Sequence, residues 1–336
     1  MPDYQYPTNQ ELKEIAAEKQ MRLLQDRRVF QFMPIVTVNA HYLAWEQRDG
    51  YRGLQAVRGL NGKPTRIRRE GAKRFLMEPG VYGEFDIVDE AEMTRRAEGV
   101  GVDSPVVIDD LVGTIQDILL GRELDRQEYI AWVLLANGTF AVMTKDGQVL
   151  HTDSYTMQQY TAVTPWATLA TAAPLQNFRD VKLLARGKGV SFGRQATAFM
   201  NEITLNRLMG NTNQNDLGGK KTTKDEVLAI DGVRKLMLDG DLPGIEVEDN
   251  GYTDDNGTFV PFLSDGKVVI IGARRGGETI ADYALTRNAN NPGNAPGSYD
   301  KVRDLKDDVP PEIQVHRGHN GGPRIYYPGS VVVMNV

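Results

Sequence analysis

The stretch LSDGKVVIIGARRGGE, Leu263–Glu278, is an apolar, β-branched run that ends in a glycine-rich turn. Two folds compete for it. A dinucleotide-binding fold needs Gly-x-Gly-x-x-Gly between a strand and a helix, because the second glycine lets the backbone approach a pyrophosphate. Here Gly272 is followed by Ala273, Arg274, Arg275, Gly276 and Gly277, so Arg274 stands where that second glycine belongs. The segment beyond soon dissolves into RNANNPGNAPGSYD, Arg287–Asp300, which reads as a loop without core residues, and no βαβ repeat surrounds it. The competing reading is a strand that changes direction at glycines.

Composition narrows the choice. The 336 residues suffice for two domains or one large elaborated fold, and 40% of them are hydrophobic. A net charge of -6 gives no global attraction to nucleic acid or to an anionic membrane. The absence of cysteine excludes disulfides, thiolate metal sites and cysteine nucleophiles. The polar start, MPDYQYPTNQ, does not read as a signal peptide, and no apolar run approaches the roughly 20 residues that span a bilayer. A soluble protein with no membrane partner is expected.

Helices and strands then alternate without a repeat. Thr8 and Glu11 form a capping-box pattern ahead of a helix reaching about Arg28, with Leu12, Ile15, Leu23 and Leu24 as a thin apolar stripe. FQFMPIVTVNAHYLAW, Phe30–Trp45, reads as extended. Ser104 and Pro105 predict the N-cap and first position of a long helix that carries Asp109 and Asp110 early, is weakened or kinked at Gly113 and Gly121, and stops at Asn137-Gly138. A hairpin turning at Asp146-Gly147 follows. Helices are expected over Leu175–Arg186, Gln195–Met209 and Glu226–Leu238, a short strand in GVSFG, strands within Ile245–Gly272, and a last pair of strands around the glycines of PEIQVHRGHNGGPRIYYPGSVVVMNV. The class is α+β.

The segment from Glu46 to Phe85 differs in kind. Arg48, Arg52, Arg58, Lys63, Arg66, Arg68, Arg69, Lys73 and Arg74 meet few acids there, among them Asp49 and Glu70. Asn61-Gly62 is a strong type I′ hairpin signal, since both central residues need positive φ. A basic two-stranded arm poor in apolar residues cannot hold itself together in water, so it must lie on something acidic.

The remaining chemistry is sparse. GGKKTT, Gly218–Thr223, lacks the Ser/Thr after Lys220 and has Gln214 where a P-loop needs its first glycine. His316 and His319 form His-x-x-His in a glycine-rich turn and read as surface histidines, while His41 and His151 are isolated. No acid pair or nucleophile–base pair stands out, so neither a catalytic residue, a metal ligand nor a cofactor is expected.

Four stretches carry a resemblance. RELDRQEYIAWVLLANGTFAVMTKDGQVL (122–150), TPWATLATAAPLQNFRDVKLL (164–184), GVSFGRQATAFMNEITLNRL (189–208) and FVPFLSDGKVVIIG (259–272) resemble the major capsid proteins of tailed bacteriophages, which share the Hong Kong 97 phage capsid fold, and specifically the lambda-type major capsid protein E family. The resemblance implies an N-terminal arm (1–45), an extended loop (46–88), a peripheral domain with a long spine helix (89–167 and 276–336) and an axial domain (168–275). It implies a non-enzymatic virion protein, assembled in the host cytoplasm into pentamers and hexamers of an icosahedral head around double-stranded DNA touched weakly and non-specifically. Portal and scaffold or decoration proteins are the further partners implied. Arg66, Arg68, Arg69, Lys73 and Arg74 are the expected inter-subunit contacts, and Gly50, Gly53, Gly80 and Gly83 the expected hinges. An encapsulin-like nanocompartment shell shares the implied fold; a nucleotide-binding enzyme using Gly272–Gly277 is the reading from another class.

Overall fold

The computed structural model describes residues 4–47, 54–55, 57–58, 60, 62–64, 66, 73–98, 100–101, 105–143, 149–211, 230–254, 256–274, 276–305 and 307–336, with the backbone alone at Met143, Leu150 and His151. It divides into two compact units: residues 1–43, 76–130 and 282–324, and residues 44–75, 131–281 and 325–336.

The first unit is built on α1 (Asn9–Asp26) and α3 (Asp109–Asn137), whose residues through Ile130 belong here. Thr8 and Glu11 close the expected capping box, satisfying two of the helix's orphan backbone donors. Only Leu12 and Ala16 of α1 are buried; Ile15 and Leu23 remain exposed. β1 (Tyr4–Gln5) pairs in parallel with β6 (Val106–Val107), so Pro105 precedes a strand and the long helix begins at Asp109. Ser104 lies outside the described residues. The helix runs 29 residues as one element through Gly113 and Gly121. Asp109 and Asp110 sit in its first turn, where the dipole favours them.

Against these helices lies a sheet ordered β18-β19-β17-β2, made of Tyr299–Leu305, Glu312–Ile325, Ala281–Leu285 and Ile35–Thr37, with β5 (Gly80–Val88) also paired to β19. α2 (Glu90–Ala97) follows β5 and is capped by Asp89. Period-2 alternation directs Ile313, Val315, Arg317 and His319 inward. Leu12, Val88, Met93, Val112, Ile115, Leu119, Ile313 and Val315 share one core.

The expected turn at the C-terminal glycines is absent: β19 passes straight through Gly318 and Gly321. A Cβ on Gly318 would meet Gly83 Cα at 2.7 Å and one on Gly321 the Ala284 carbonyl oxygen at 2.7 Å. These glycines admit neighbouring backbone rather than bend the chain. The Arg287–Asp300 loop also differs from expectation, because Asn288 and Asn291 are buried. Asn291 Nδ2 donates to the carbonyls of Ala295, Gly297 and Ser298.

In the second unit, β3 (Leu43–Gln47) pairs with β4 (Lys73–Met77), and β7 (Thr139–Met143) with β8 (Val149–Ser154). Helix α3 ends at Asn137 and Gly138 takes φ 67°, the left-handed C-cap that Asn-Gly signals. The Asp146-Gly147 turn lies outside the described residues. A central sheet runs β12-β11-β15-β20-β9: Gly244–Val247, Thr197–Met200, Lys267–Ile271, Val331–Asn335 and Gln158–Thr161. α4 (Pro174–Leu183), α5 (Glu202–Met209) and α6 (Ile230–Asp239) contribute Phe178, Val181, Leu205, Leu208, Val233 and Met237 to its core.

The helix expected over Gln195–Met209 is therefore split. Residues 197–200 form β11, hydrogen-bonded on both sides, and Asn201 caps the shorter α5 through a bond from the Thr204 N–H. Burial of Ala198, Phe199 and Met200 between two partner strands outweighs local helix propensity.

The opening stretch is now explained. β15 is followed by Gly272 and the two-residue β16 (Ala273–Arg274), which pairs with β10 (Val190–Ser191); among the described residues the next element after the glycines is β17, not a helix. Gly276 and Gly277 take φ 94° and 69° and turn the chain. The Arg274 guanidinium lies 3.4 Å from the centroid of the Tyr327 ring and Nε donates to Glu278 at 2.9 Å. A small hairpin, β13 (Gly251–Thr253) with β14 (Phe259–Pro261), completes the unit. Among the described residues no helix is long and apolar enough to cross a membrane.

Candidate interaction surface

The loop that leaves β3 and returns through β4 starts from a fixed base. The rings of Trp45 and Phe75 stack at 5.4 Å between centroids, 15° from parallel, and Tyr155 closes on both at 6.1 and 5.6 Å. Trp45 Nε1 donates to the Ile325 carbonyl at 2.9 Å, so the buried indole keeps its polar atom satisfied. Arg74 Nε donates to Glu46 Oε1 at 2.9 Å across the same pair of strands.

Beyond that base, every described residue is exposed. Arg58, Lys63 and Arg66 present positive charge, and Arg58 Nη1 donates to the Gly62 carbonyl at 3.1 Å. Leu54, Val57 and Leu60 are exposed over essentially their whole surface. The sequence predicts an arm poor in apolar residues; these three are nonetheless fully presented to solvent. The described part of the loop thus presents both large apolar and basic side chains to solvent.

Of the five expected contact residues, Arg66, Lys73 and Arg74 are described and exposed, with Arg74 tied to Glu46. Arg68 and Arg69 lie outside the described residues, as do Asn61, Gly50 and Gly53. Gly80 opens β5, and Gly83 lies within it opposite Gly318. The GGKKTT stretch is also outside the described residues.

The two histidines separate. His316 is half-buried and stacks on Phe85 with centroids 5.0 Å apart. Its surface is basic: burial, then Lys301 and Arg303, push its pKa down. His319 is not the surface residue expected, with only 1% of its area exposed. It lies between Tyr283, whose hydroxyl is 3.0 Å from Nε2, and Glu123, whose Oε1 is 3.1 Å from Nδ1. Arg317 pairs there with Glu123 and, at 2.6 Å, with Asp300. Ser298 Oγ and Gln127 Nε2 also donate to Glu123.

Burial alone would raise the Glu123 carboxyl. Hydrogen bonding and charge from His319, the charge of Arg317 and the Ser298 hydroxyl override it and hold the group at about 2. Asp300 responds in the opposite direction, because for it burial outweighs Arg317. The cluster ties the middle of α3 to β18 and β19 with paired charges. Among the described residues no three His, Asp or Glu side chains form a group that could hold a metal.

Comparison with known proteins gives this arrangement a relationship. The family model described as phage major capsid protein E matches residues 14–315. A phage-related protein from Bordetella bronchiseptica RB50 superposes with a TM-score of 0.57 at 12% identity, covering 92% of this chain and 91% of its own. A prophage protein of E. coli CFT073, assigned as capsid, gives 0.55 at 12% identity and 92% of each chain. The capsid of an empty GTA particle gives 0.52 at 9% identity, with 92% and 89% covered. These likenesses establish a shared fold. No curated protein matches the chain.

Proposed function

The chain belongs to the phage major capsid protein E family, and on that premise we propose how this head shell protein meets its neighbours. It is a structural protein that self-assembles into an icosahedral shell. We read residues 1–45 as an N-terminal arm, 46–88 as an extended loop, 89–167 with 276–336 as the peripheral domain and 168–275 as the axial domain. The same chain would form pentamers and hexamers, with Gly50, Gly53, Gly80 and Gly83 absorbing the difference in loop angle.

The loop carries the contact, through Arg66, Arg68, Arg69, Lys73 and Arg74. The observation behind this is the exposure of Leu54, Val57 and Leu60 beside Arg58, Lys63 and Arg66. Apolar area left in water on one copy is available for burial on the next, and the basic row steers the encounter. Heterologous contacts of this kind generate rings when the rotation from copy to copy closes.

The wider setting follows from the family. The virion would hold double-stranded DNA, which a chain of net charge -6 grips only weakly, and portal and scaffold or decoration proteins would complete the head. Assembly would take place in the host cytoplasm, and no catalytic role is assigned.

Reversing Arg66, Arg68 and Arg69 to Glu tests the reading. Electron microscopy should show no shells from the variant while circular dichroism shows a folded chain. Shells of normal size and yield would overturn the loop's role.

A further inference from the structure

The first unit's sheet aligns three cross-strand rows: Tyr299–Gly318–Gly83, Lys301–His316–Phe85 and Arg303–Gln314–Ile87. Side chains alternate along a strand, so these positions share the face turned away from buried Asp300, Ile313 and Val315. Both glycines of the first row make room for one ring. A Cβ on Gly83 would stand 2.7 Å from Tyr299 Oη, and one on Gly318 3.0 Å from Tyr299 Cε1, so the ring lies over both. In the next row Phe85 stacks on His316 and still keeps 56% of its surface in water. Aromatic rings thus occupy two adjacent rows of one flat face.

The charge on this face is positive. Lys301 and Arg303 are exposed, and neither forms an ion pair among the described residues. Burial, then these two cations, push the His316 pKa down. The carboxylate of Glu312, at the end of the face, already accepts from Gln314 Nε2. A chain of net charge -6 therefore carries a local basic margin on β18, with aromatic rings beside it and exposed Val81 and Ile87 on the far strand, β5.

We propose that this face binds a single-stranded nucleic acid, with Tyr299 and Phe85 stacking on its bases while Lys301 and Arg303 meet its phosphates. A flat sheet that sets aromatic rings beside cations suits unpaired bases, because every base has a π-face and each nucleotide brings a phosphate. An acidic peptide would answer the cations but has no planar group at each residue. A duplex would answer them too, but it hides its base faces within its own stack. The site is separate from the loop's role in assembly and from any weak grip on packaged duplex.

Fluorescence anisotropy with a labelled oligothymidylate tests this on the full chain. Two backgrounds are used, the parent and the chain with Arg66→Glu, Arg68→Glu and Arg69→Glu, so that binding by the basic loop is told apart from binding by the sheet. Phe85→Leu keeps apolar surface but removes an exposed ring, and should weaken binding at least fivefold in both backgrounds. Lys301→Gln with Arg303→Gln, at exposed positions, should weaken it at least fivefold and flatten the slope of log K against log salt by about 1.4, the value for two phosphates of a single strand. Circular dichroism checks that each variant is folded. A duplex of the same length and polyglutamate should each displace the oligonucleotide at least tenfold less well than unlabelled single strand. Equal displacement by the duplex would overturn base stacking, and equal displacement by polyglutamate would make the face a seat for acidic protein instead. Unchanged affinity in both sheet variants would overturn the site whatever the loop variant does, while shell loss in the loop variant bears on assembly alone.

Discussion

The indole of Trp45 and the ring of Phe75 lie face to face across the two strands that begin and end the exposed loop, 5.4 Å apart and 15° from parallel. They join positions 30 residues apart in sequence, and with Tyr155 they make the loop's base its well-packed part among the described residues. Trp45 is buried, whereas Phe75 is half-buried. Trp45→Ala should lower stability by about 3–5 kcal/mol, the usual result of truncating a large buried aromatic. Phe75→Ala should lose about 0.5–1.5 kcal/mol of ring pairing plus its partial burial. Urea unfolding of both variants checks the order; a larger effect at Phe75 would contradict the packing described.

Assembly through a basic loop carries a salt signature. The Debye length falls from about 10 Å at 0.1 M to about 3 Å at 1 M salt. Contacts by exposed Arg58, Lys63 and Arg66 should weaken over that range, while burial of Leu54, Val57 and Leu60 persists. The rate of shell formation, followed by light scattering, should therefore drop with added salt more steeply than the stability of finished shells. A rate independent of salt would remove charge from the account.

The buried cluster around Glu123 predicts a pH response of definite sign. Its carboxyl sits at about 2, below the ordinary 4.5, so its contribution is complete above about pH 4.5 and is lost as pH falls toward 2. Asp300, raised by burial, opposes part of this. Glu123→Gln breaks a buried pair with Arg317, for which about 3–5 kcal/mol is expected at pH 7. The variant should also lose stability less steeply than the parent between pH 4.5 and 2. Urea midpoints measured across that window decide it; parallel curves would show that Glu123 is not the group responsible.

Local chemistry was legible in the sequence and distant pairing was not. Thr8 with Glu11 announced the start of α1, and Asn137-Gly138 the end of α3, because caps are written within a few residues. β11 was misread as helix: a short apolar run beside a good helix sequence has no period that separates a buried strand from a helix. The C-terminal glycines were read as a turn because the backbone they admit, Gly83 and Ala284, lies far away in sequence. The same distance hid the Glu123 cluster, which draws on residues 123, 298, 300, 317 and 319. One clue was present: Arg317 and His319 continue the inward register of Ile313 and Val315. In the exposed loop, charge was visible in Arg58–Arg74, but the exposure of Leu54, Val57 and Leu60 needed the structure.

Two glycines of the first unit, Gly121 and Gly318, are distinguished by substitution. Gly121 lies within α3 with nothing inside 4 Å of its missing Cβ, so it weakens the helix without easing any contact. Gly121→Ala should raise stability by about 0.5–1 kcal/mol. Gly318 lies in β19 against β5 and β18, where a Cβ would meet Gly83 Cα at 2.7 Å and Tyr299 Cε1 at 3.0 Å. Gly318→Ala must push two strands apart, and overpacking of that kind costs about 1–3 kcal/mol. Thermal melting of the pair should therefore move in opposite directions. If Gly121→Ala also destabilised the isolated chain, its helix position would be in tighter contact than the structure shows; if it stabilised the chain but reduced shells, the open space above it would be a place where a neighbouring copy approaches the helix.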